Sequence, residues 1–349
     1  MKVSIGTKIK EGPWGGGNLF ALNLKNFLLQ NGHDVVHNLN DPDIDIILLT
    51  EPRVTSESSA FTHYDVENYL KYINFNAIVI HRINECDERK NTKHVNKYMI
   101  YANQISDKTI FVSNWLKNIY INQGIKSFDN HVIYAGANKE IFNDTGYKNW
   151  DKKEKLKIVT HHWGANWYKG FETYLKIDEL IGTDKWKKAI SFTYIGNVPK
   201  NIKFKNSKIV EPLSGFNLAN EIKKNHLYVT GSLNEPSGNH HIEAAQCGLP
   251  LLYINSGGIP EYCQEFGVKY EIENFESKLE EIISNYDIFV KKIKNYPNNS
   301  EKMSSEFLEI FQQSLSKKES IYEVRDFKKN RSLLMKRLYL IKKKIRNIL

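Results

Sequence analysis

The chain has 349 residues, of which 41% are hydrophobic and 26% are charged, and its formal net charge is +9. This length is enough for two domains with cores of their own, and the composition is ordinary for a soluble globular protein. The sequence has no apolar run of membrane-spanning length and opens on a predicted strand instead of a signal peptide, so we expect a cytoplasmic protein. The cysteines lie far apart without a C-x-x-C pair, which argues against a disulfide framework and a zinc site; they are Cys86, Cys247 and Cys263.

The first segment predicts a strand, a glycine turn and a helix. The strand KVSIG is followed by the glycine loop of residues 12–17 and by a helix that begins at about Asn18 and ends at Asn31-Gly32. The dinucleotide fingerprint G-x-G-x-x-G is absent, which disfavours a nicotinamide cofactor. A glycine turn in this place either binds a ligand or only reverses the chain, and we favour ligand binding because it follows the first strand.

Asp43 and Asp45 have the D-x-D spacing found in some metal sites. They lie where the apolar run of residues 44–49 begins, so carboxylates in the turn before a strand are the simpler interpretation. A hard cation also needs further oxygen ligands nearby. We therefore predict a structural role for both acids and no metal site.

A dense polar group follows the next strong strand. The apolar residues at the start of segment 77–89, AIVIHRINECDER, predict a strand that delivers several polar side chains to its carboxyl end. Those side chains are His81, Arg82, Asn84, Glu85 and Asp87. The alternative is a capped loop of solvated ion pairs without a ligand.

Two domains are predicted around a polar linker. Strand and helix patterns recur in residues 108–120 and 131–142, and then residues 143–155 lack apolar periodicity and contain four lysines. This linker separates an N-terminal domain, residues 1–145, from a C-terminal domain, residues 151–316. Roughly twelve strand candidates alternate with helices, which predicts α/β domains with doubly wound sheets.

The C-terminal domain contains the most informative stretch, residues 231–261, GSLNEPSGNHHIEAAQCGLPLLYINSGGIPE. Glu235 lies in a turn and Glu243 in an Ala-rich helix, which we expect Asn239 or Ser237 to cap. Free N–H groups at such a helix start attract phosphate. A buried strand and a second glycine turn follow, as at the edges where α/β folds hold nucleotides.

This stretch resembles the donor-site signature of family 4 glycosyltransferases. The resemblance rests on S-x-x-E-P-x-G, a second Glu eight positions after the first (Glu-x7-Glu), C-G-L-P and S-G-G-x-x-E. Such enzymes have the GT-B fold, so the resemblance implies two Rossmann-like domains facing across a cleft. It also implies that the chain returns to the first domain beyond about Ser316.

The resemblance implies a role for each motif. Glu243 would hold ribose hydroxyls, Glu235 the transferred sugar, and the N–H groups of Gly238 and Asn239 with Lys169 the diphosphate. The family also places an Arg five residues before this Lys, and this chain has Gly164 there. His161, His162 or Arg82 would then supply the second positive group.

Other positions follow from the same resemblance. The glycine loop faces the diphosphate, Asn197 and Pro212-Leu213 border the base, His81 and Arg82 contact the sugar and leaving phosphate, and Glu85 faces the acceptor. The predicted catalytic residues are His81, Arg82, Lys169 and Glu235; the donor-binding residues are Gly16, Gly17, His162, Asn197, Pro212, Gly238, Asn239, His240 and Glu243; the acceptor-binding residues are Asn84 and Glu85.

Residues 317–349 are predicted to form a basic amphipathic helix. Residues 323–349 contain ten Lys or Arg and two acids, so this segment carries +8 of the net charge. Such a helix either lies on an anionic membrane surface or packs its apolar stripe on the N-terminal domain. Nucleic acid is not expected as a partner, because the aromatic and basic pattern of stacking platforms is missing.

The resemblance therefore implies a metal-independent, retaining hexosyltransferase without a cofactor. Its donor would be a UDP- or GDP-sugar, its acceptor a glycan or a lipid-linked glycan, and its setting bacterial surface polysaccharide synthesis at the inner face of the cell membrane. Two alternatives remain open. One is a GT-B epimerase or phosphorylase, and the other is a non-catalytic homologue that binds a sugar nucleotide or a glycan.

Overall fold

The computed structural model describes residues 1–10, 15–125, 129–325 and 333–346. The chain forms two α/β domains, each built on a parallel sheet of six strands. The predicted fold class, two doubly wound domains, is confirmed. The central strands of each sheet are largely buried, as expected where helices cover both faces of a parallel sheet, whereas the edge segments 34–36, 130–132 and 208–210 are partly exposed.

The N-terminal sheet has the strand order β2-β1-β3-β4-β5-β6. Its strands are β1 (Lys2–Ile5), β2 (Asp34–Val36), β3 (Ile46–Leu49), β4 (Ile78–Ile83), β5 (Lys108–Phe111) and β6 (Asn130–Val132). Its helices are α1 (Gly16–Gln30), α2 (His63–Tyr72), α3 (Val95–Asn103) and α4 (Asn114–Asn122). The order changes direction between β1 and β3, and ligands of open α/β sheets bind at such a point.

Alternate residues of β4 face opposite sides of the N-terminal sheet. Ile78 and Ile80 pack in one apolar cluster with α1, whereas Val79 packs in another with α2. Because side chains alternate along a strand, Arg82 belongs to the α1 side and His81 to the α2 side.

The C-terminal sheet has the strand order β12-β11-β10-β7-β8-β9 and changes direction between β10 and β7. Its strands are β7 (Leu156–His162), β8 (Ile190–Gly196), β9 (Lys208–Val210), β10 (Leu227–Thr230), β11 (Leu251–Ile254) and β12 (Gly267–Tyr270). Its helices are α5 (Phe171–Ile181), α6 (Asp184–Lys187), α7 (Gly215–Ile222), α8 (Asn239–Gln246), α9 (Ile259–Cys263), α10 (Phe275–Ser284) and α11 (Tyr286–Ile293).

The chain returns to the N-terminal domain earlier than expected. Helix α12 (Ser300–Ser316) already packs on α1, with the rings of Phe307 and Phe20 5.1 Å apart, so the expected return beyond Ser316 is wrong. The crossing point is tight: a Cβ on Gly136 would lie 2.1 Å from the backbone of Asn299. The apolar face of α12 explains the early return, because it completes the core beside α1.

Two further helices follow, α13 (Lys318–Val324) and α14 (Leu333–Arg346). Tyr339 of α14 stacks on Tyr72 of α2, with ring centroids 5.2 Å apart. The side chains of Met335, Leu338 and Ile341 are nevertheless each at least 45% exposed. Within the described residues, no helix is both long and apolar enough to cross a bilayer.

Smaller expectations are refined by the structure. Helix α1 begins at Gly16, two residues before the expected start, while the rest of the predicted loop, residues 12–14, lies outside the described residues. Asp43 pairs with Lys2 Nζ, and Asp45 accepts a hydrogen bond from Lys2 N, as expected for acids with a structural role. The free cysteines are all buried.

Candidate active site

Two helix N-termini from different domains meet at the cleft. Helix α1 begins after Gly15 and helix α8 after Gly238, and among the described residues no side chain caps either helix. The expectation that Asn239 or Ser237 caps α8 is therefore wrong. The two ends are close, because a Cβ on Gly16 would lie 3.1 Å from Asn239 Oδ1. First-turn N–H groups without a capping side chain form a site suited to an anion.

Glu235 lies beside this gap between two positive side chains. Lys169 Nζ is 2.6 Å from Oε2, and Arg89 Nε of the N-terminal domain is 3.1 Å from Oε1. Lys169 reaches this place because Gly170 lies directly against Gly231, where a Cβ on Gly170 would come within 2.5 Å of backbone. The ends of β7 and β10 thus bring Lys169 and Glu235 together at the switch point of the sheet.

The charges of this cluster shift one another's pKa values. Burial raises the pKa of Glu235, but Arg89 and Lys169 lower it more, to about 2. Burial lowers the pKa of Lys169, and Glu235 opposes that effect. The Glu235 carboxylate raises the pKa of Arg89. Glu235 is therefore ionised at neutral pH.

Glu243 is held by His161 from the neighbouring strand. His161 Nε2 donates to Glu243 Oε2 at 2.8 Å, because a carboxylate can only accept, and Tyr228 Oη lies 3.2 Å from His161 Nδ1. This fixes one carboxylate oxygen of Glu243 in the first turns of α8.

His162 and His240 pack against each other beneath the start of α8. Their ring centroids are 4.5 Å apart; Tyr174 Oη contacts His162 Nε2 at 2.6 Å, and Thr230 Oγ1 contacts His240 Nε2 at 2.7 Å. Burial lowers the pKa of both imidazoles well below the usual range, and Lys169 adds to this at His162. At neutral pH His162 is uncharged, so it does not supply the positive group expected of it.

Arg82 is buried on the α1 side of the sheet. Its guanidinium stacks on Phe20, 3.8 Å from the ring centroid, and it makes no hydrogen bond or ion pair with any residue that the structure describes. Burial lowers its pKa to about 10. Phe20 follows Gly16 by one helical turn, so this cation lies next to the start of α1.

The structure does not bring His81 to these residues. Its ring is fully buried on the other face of β4, where Asn103 Nδ2 lies 3.1 Å from His81 Nδ1. Burial lowers its pKa to about 3. Its position gives no support to the expectation that His81 contacts the sugar, because His81 and Arg82 are neighbours in a strand and point apart.

The other predicted positions lie around the same edge. Gly17 is in the first turn of α1, Asn84 and Glu85 follow β4, Asn197 follows β8, and Pro212 follows β9. Asn197 Nδ2 donates to Trp163 O at 2.8 Å. Glu85 accepts from Arg89 and Lys90. The expected base contacts and the expected acceptor contacts therefore sit in different domains.

Two residues of the cleft were missed as site candidates. Arg89 ended the polar segment of residues 77–89, but its contact with Glu235 joins residues far apart in sequence. Glu261, the last residue of the glycosyltransferase-like stretch, accepts from Asn114 N and Trp115 N of the other domain at 2.8 and 2.7 Å. The motif ending at Glu261 was the available signal for that contact, and no pattern in the sequence indicated Arg89.

Comparison with known proteins extends this picture. Residues 201–303 match the model of the family described as Glycosyl transferases group 1. A glycosyltransferase structure from Rickettsia africae aligns with 90% of this chain and 98% of its own, at 15% identity and a TM-score of 0.65. Sucrose-phosphate synthase from Thermosynechococcus elongatus aligns with 90% of this chain and 99% of its own, at 12% identity and a TM-score of 0.61.

A third solved structure also aligns with most of this chain. HepE of Anabaena, in complex with UDP and glucose, aligns with 91% of this chain and 99% of its own, at 13% identity and a TM-score of 0.59. The chain has the GT-B fold. No curated protein sequence matches it. The match of residues 201–303 supports a glycosyltransferase, and the cleft between the two GT-B domains is the place where its candidate site lies.

Proposed function

We propose that this GT-B protein is a nucleotide-sugar glycosyltransferase that transfers a hexose-type sugar with retention. The observation that carries the proposal is Glu235, ionised and held by Lys169 beside the uncapped start of α8. A carboxylate suits sugar hydroxyls, whereas a lysine and free N–H groups suit a diphosphate. A sugar joined to a diphosphate satisfies both halves of this arrangement.

The donor takes an extended position across the C-terminal edge in this proposal. The base lies near Asn197 and Pro212, and the ribose hydroxyls bind Glu243, whose carboxylate is positioned by His161. The N–H groups of Gly238 and Asn239 bind the diphosphate. HepE was solved with UDP and with UDP-glucose, which favours uridine as the base here.

Stabilisation of the leaving diphosphate is the main catalytic contribution in this proposal. Negative charge develops on the diphosphate as the bond to the sugar breaks, and preorganised donors in a water-poor cleft stabilise it. Lys169 lies next to that position, and Arg82, whose guanidinium is not paired with any described residue, lies on the opposite side, by α1. The acceptor hydroxyl enters on the same face of the sugar, from the side of Asn84 and Glu85.

The acceptor is proposed to be a glycan or a lipid-linked glycan at a cytoplasmic membrane surface, as in bacterial surface polysaccharide synthesis. The support comes from α14, where the exposed apolar residues Met335, Leu338 and Ile341 lie among the exposed basic residues Lys336 and Arg337. Apolar and basic side chains on one short helix suit an anionic lipid surface.

The test is a thermal-shift panel of UDP, GDP and their hexose conjugates, followed by product analysis. A ligand at 100 times its Kd adds about 2.7 kcal/mol of stability, which shifts Tm measurably. We expect one nucleotide series to stabilise the protein and its sugar conjugate to be consumed with an acceptor. Absence of any shift across the panel would contradict the proposal.

The same assay separates the alternative activities. An epimerase would convert the donor to a new sugar nucleotide without an acceptor, and a phosphorylase would require inorganic phosphate and release a sugar phosphate. A non-catalytic homologue would bind the nucleotide tightly and consume no donor with any cell-derived acceptor. Each outcome is read from the same chromatogram of nucleotide and sugar products.

A further inference from the structure

Arg89 extends from the N-terminal domain into the proposed donor site, and the described residues do not satisfy all of its N–H donors. Its Nε lies 3.1 Å from Glu235 Oε1 but is buried without a hydrogen bond. Its Nη1 makes only long contacts of 3.4 Å with the two oxygens of Glu85. The guanidinium is therefore oriented by two carboxylates, and the described residues leave part of its hydrogen-bonding capacity unused.

Arg89 and Lys169 approach Glu235 from opposite sides. Lys169 Nζ contacts Oε2 and Arg89 Nε lies near Oε1, so the two cations share one carboxylate. Arg89 also contributes to lowering the pKa of Lys169, as expected for positive charges close together. One positive charge comes from each domain, and both lie beside the sugar end of the proposed donor.

The C-terminal domain offers no second lysine or arginine beside Lys169 among its described side chains. A Cβ on Gly164 would lie 3.6 Å from Lys169 Cε, so this position faces Lys169 but carries no side chain. His162 is neutral, and His161 donates to Glu243. Arg82 belongs to the N-terminal domain and stacks on Phe20 by α1.

We infer that Arg89 binds the diphosphate of the donor together with Lys169, and so completes the leaving-group site from the other domain. Arg89 is then a catalytic residue that touches the substrate through its unused N–H donors. This inference rests on the proposed function, because it requires a nucleotide diphosphate in the cleft. A guanidinium suits the task, since it can contact two phosphate oxygens at once.

Domain closure then has a chemical consequence. The loop that carries Arg89 reaches the turn before Glu235, where Asn234 Nδ2 donates to Glu88 O at 3.3 Å. The second positive charge is present only while the domains are as close as they are here. Cleavage of the bond between the sugar and the nucleotide then depends on domain closure. Closure also excludes water and so reduces hydrolysis of the donor.

Isothermal titration calorimetry measures the binding of UDP, uridine, GDP and guanosine to four proteins. These are the wild type, R89A, R89K and K90A. Lys90 is the matched control, because its Nζ contacts Glu85 at 3.3 Å and has no contact with Glu235. We expect R89A to weaken the binding of the nucleoside diphosphate by about 10- to 100-fold, the loss typical of a hydrogen bond to a charged group. Binding of the nucleoside should be unchanged. R89K retains part of the affinity, and K90A matches the wild type.

The outcomes separate this inference from the proposed function. If the wild-type protein binds neither UDP nor GDP, both the role of Arg89 and the proposed function are contradicted. Wild-type binding with unchanged diphosphate affinity in R89A would overturn the role of Arg89 alone, and would leave Arg89 as a residue that positions Glu235. Should R89A fail to fold, as judged by its circular dichroism melt, R89Q provides the same comparison.

Discussion

A buried carboxylate is costly unless positive groups compensate it, and Glu235 is compensated twice. Lys169 and Arg89 lie within ion-pairing distance of its two oxygens. The site therefore holds an ionised acid, a lysine and an arginine with little water between them. In such surroundings each charge acts strongly on its neighbours and on a ligand.

The first prediction concerns stability and pH. The pKa of Glu235 is about 2 in the folded chain and near 4.5 when unfolded, so its stabilising effect is full above pH 4.5 and is lost as pH falls towards 2. E235Q lacks this titration and leaves two cations uncompensated. We expect the gap in unfolding free energy between wild type and E235Q to narrow from pH 5.5 to 3.5 in urea titrations. A difference in unfolding free energy that stays constant between pH 5.5 and 3.5 would contradict the lowered pKa of Glu235.

The second prediction concerns Lys169. K169A should lower kcat by about 10²- to 10³-fold, the usual effect of removing one group that stabilises a leaving oxyanion. Stability should fall by less than the 3–5 kcal/mol typical of a broken buried pair, because Arg89 still faces Glu235. The control is K152A, which removes a surface pair with Asp287. Steady-state kinetics with urea unfolding measures both, and unchanged kcat in K169A would refute the role.

At the scale of elements, one acid of the C-terminal domain serves a helix of the N-terminal domain. Glu261 lies in α9, yet its carboxylate accepts from the first N–H groups of α4, from Asn114 Nδ2 and from Tyr134 Oη. Negative charge at a helix N-terminus is stabilising. Tyr262 extends the contact by donating to Val112 O. The last acid of the glycine-rich motif therefore joins the domains.

The third prediction follows from this cap. E261A should lower the free energy of unfolding by about 0.5–2 kcal/mol, as loss of a capping acceptor does. It should also speed amide exchange at Asn114 and Trp115, whose N–H groups lose their acceptor. Glu265 is exposed and near in sequence, so E265A is the control. Hydrogen exchange measured by mass spectrometry checks this prediction. Equal amide exchange rates at the start of α4 in E261A and E265A would contradict the capping role of Glu261.

At the scale of the whole molecule, the two domains form one site only when they meet. Each sheet changes direction at one point. The chain beyond those points supplies α1 from one side and Lys169, Glu235 and α8 from the other, while Arg82 comes from strand β4. Helix α12 returns to α1 and so ties the domains together a second time. The site is therefore a property of the assembled pair of domains.

The fourth prediction concerns α14 and the membrane. Deletion of residues 331–349, or K336E with R337E, should reduce sedimentation with vesicles of phosphatidylglycerol and phosphatidylethanolamine, because each basic residue near an anionic surface contributes about 1 kcal/mol. The control is I288E, which alters an exposed apolar residue of the C-terminal domain. Binding that survives the deletion would dismiss the membrane role and leave α14 as a helix packed on α2.

Much of this molecule was determined by sequence alone. Period-two and period-3.6 patterns predicted the alternating strands and helices, and residues 231–261 predicted the turn and helix that carry Glu235 and Glu243. These features are local, since they depend on which residues follow one another. The same holds for the basic, apolar pattern of α14.

Only the tertiary structure decided which side chains meet. His81 and Arg82 were equal candidates in sequence, but they face opposite sides of β4, so Arg82 lies against Phe20 near the start of α1 and His81 lies against Asn103. Arg89 reaches Glu235, and Glu261 reaches α4, through contacts between residues more than a hundred positions apart. The physical reason is that periodicity specifies which face of an element is apolar, while the packing of domains specifies which polar ends share a cleft.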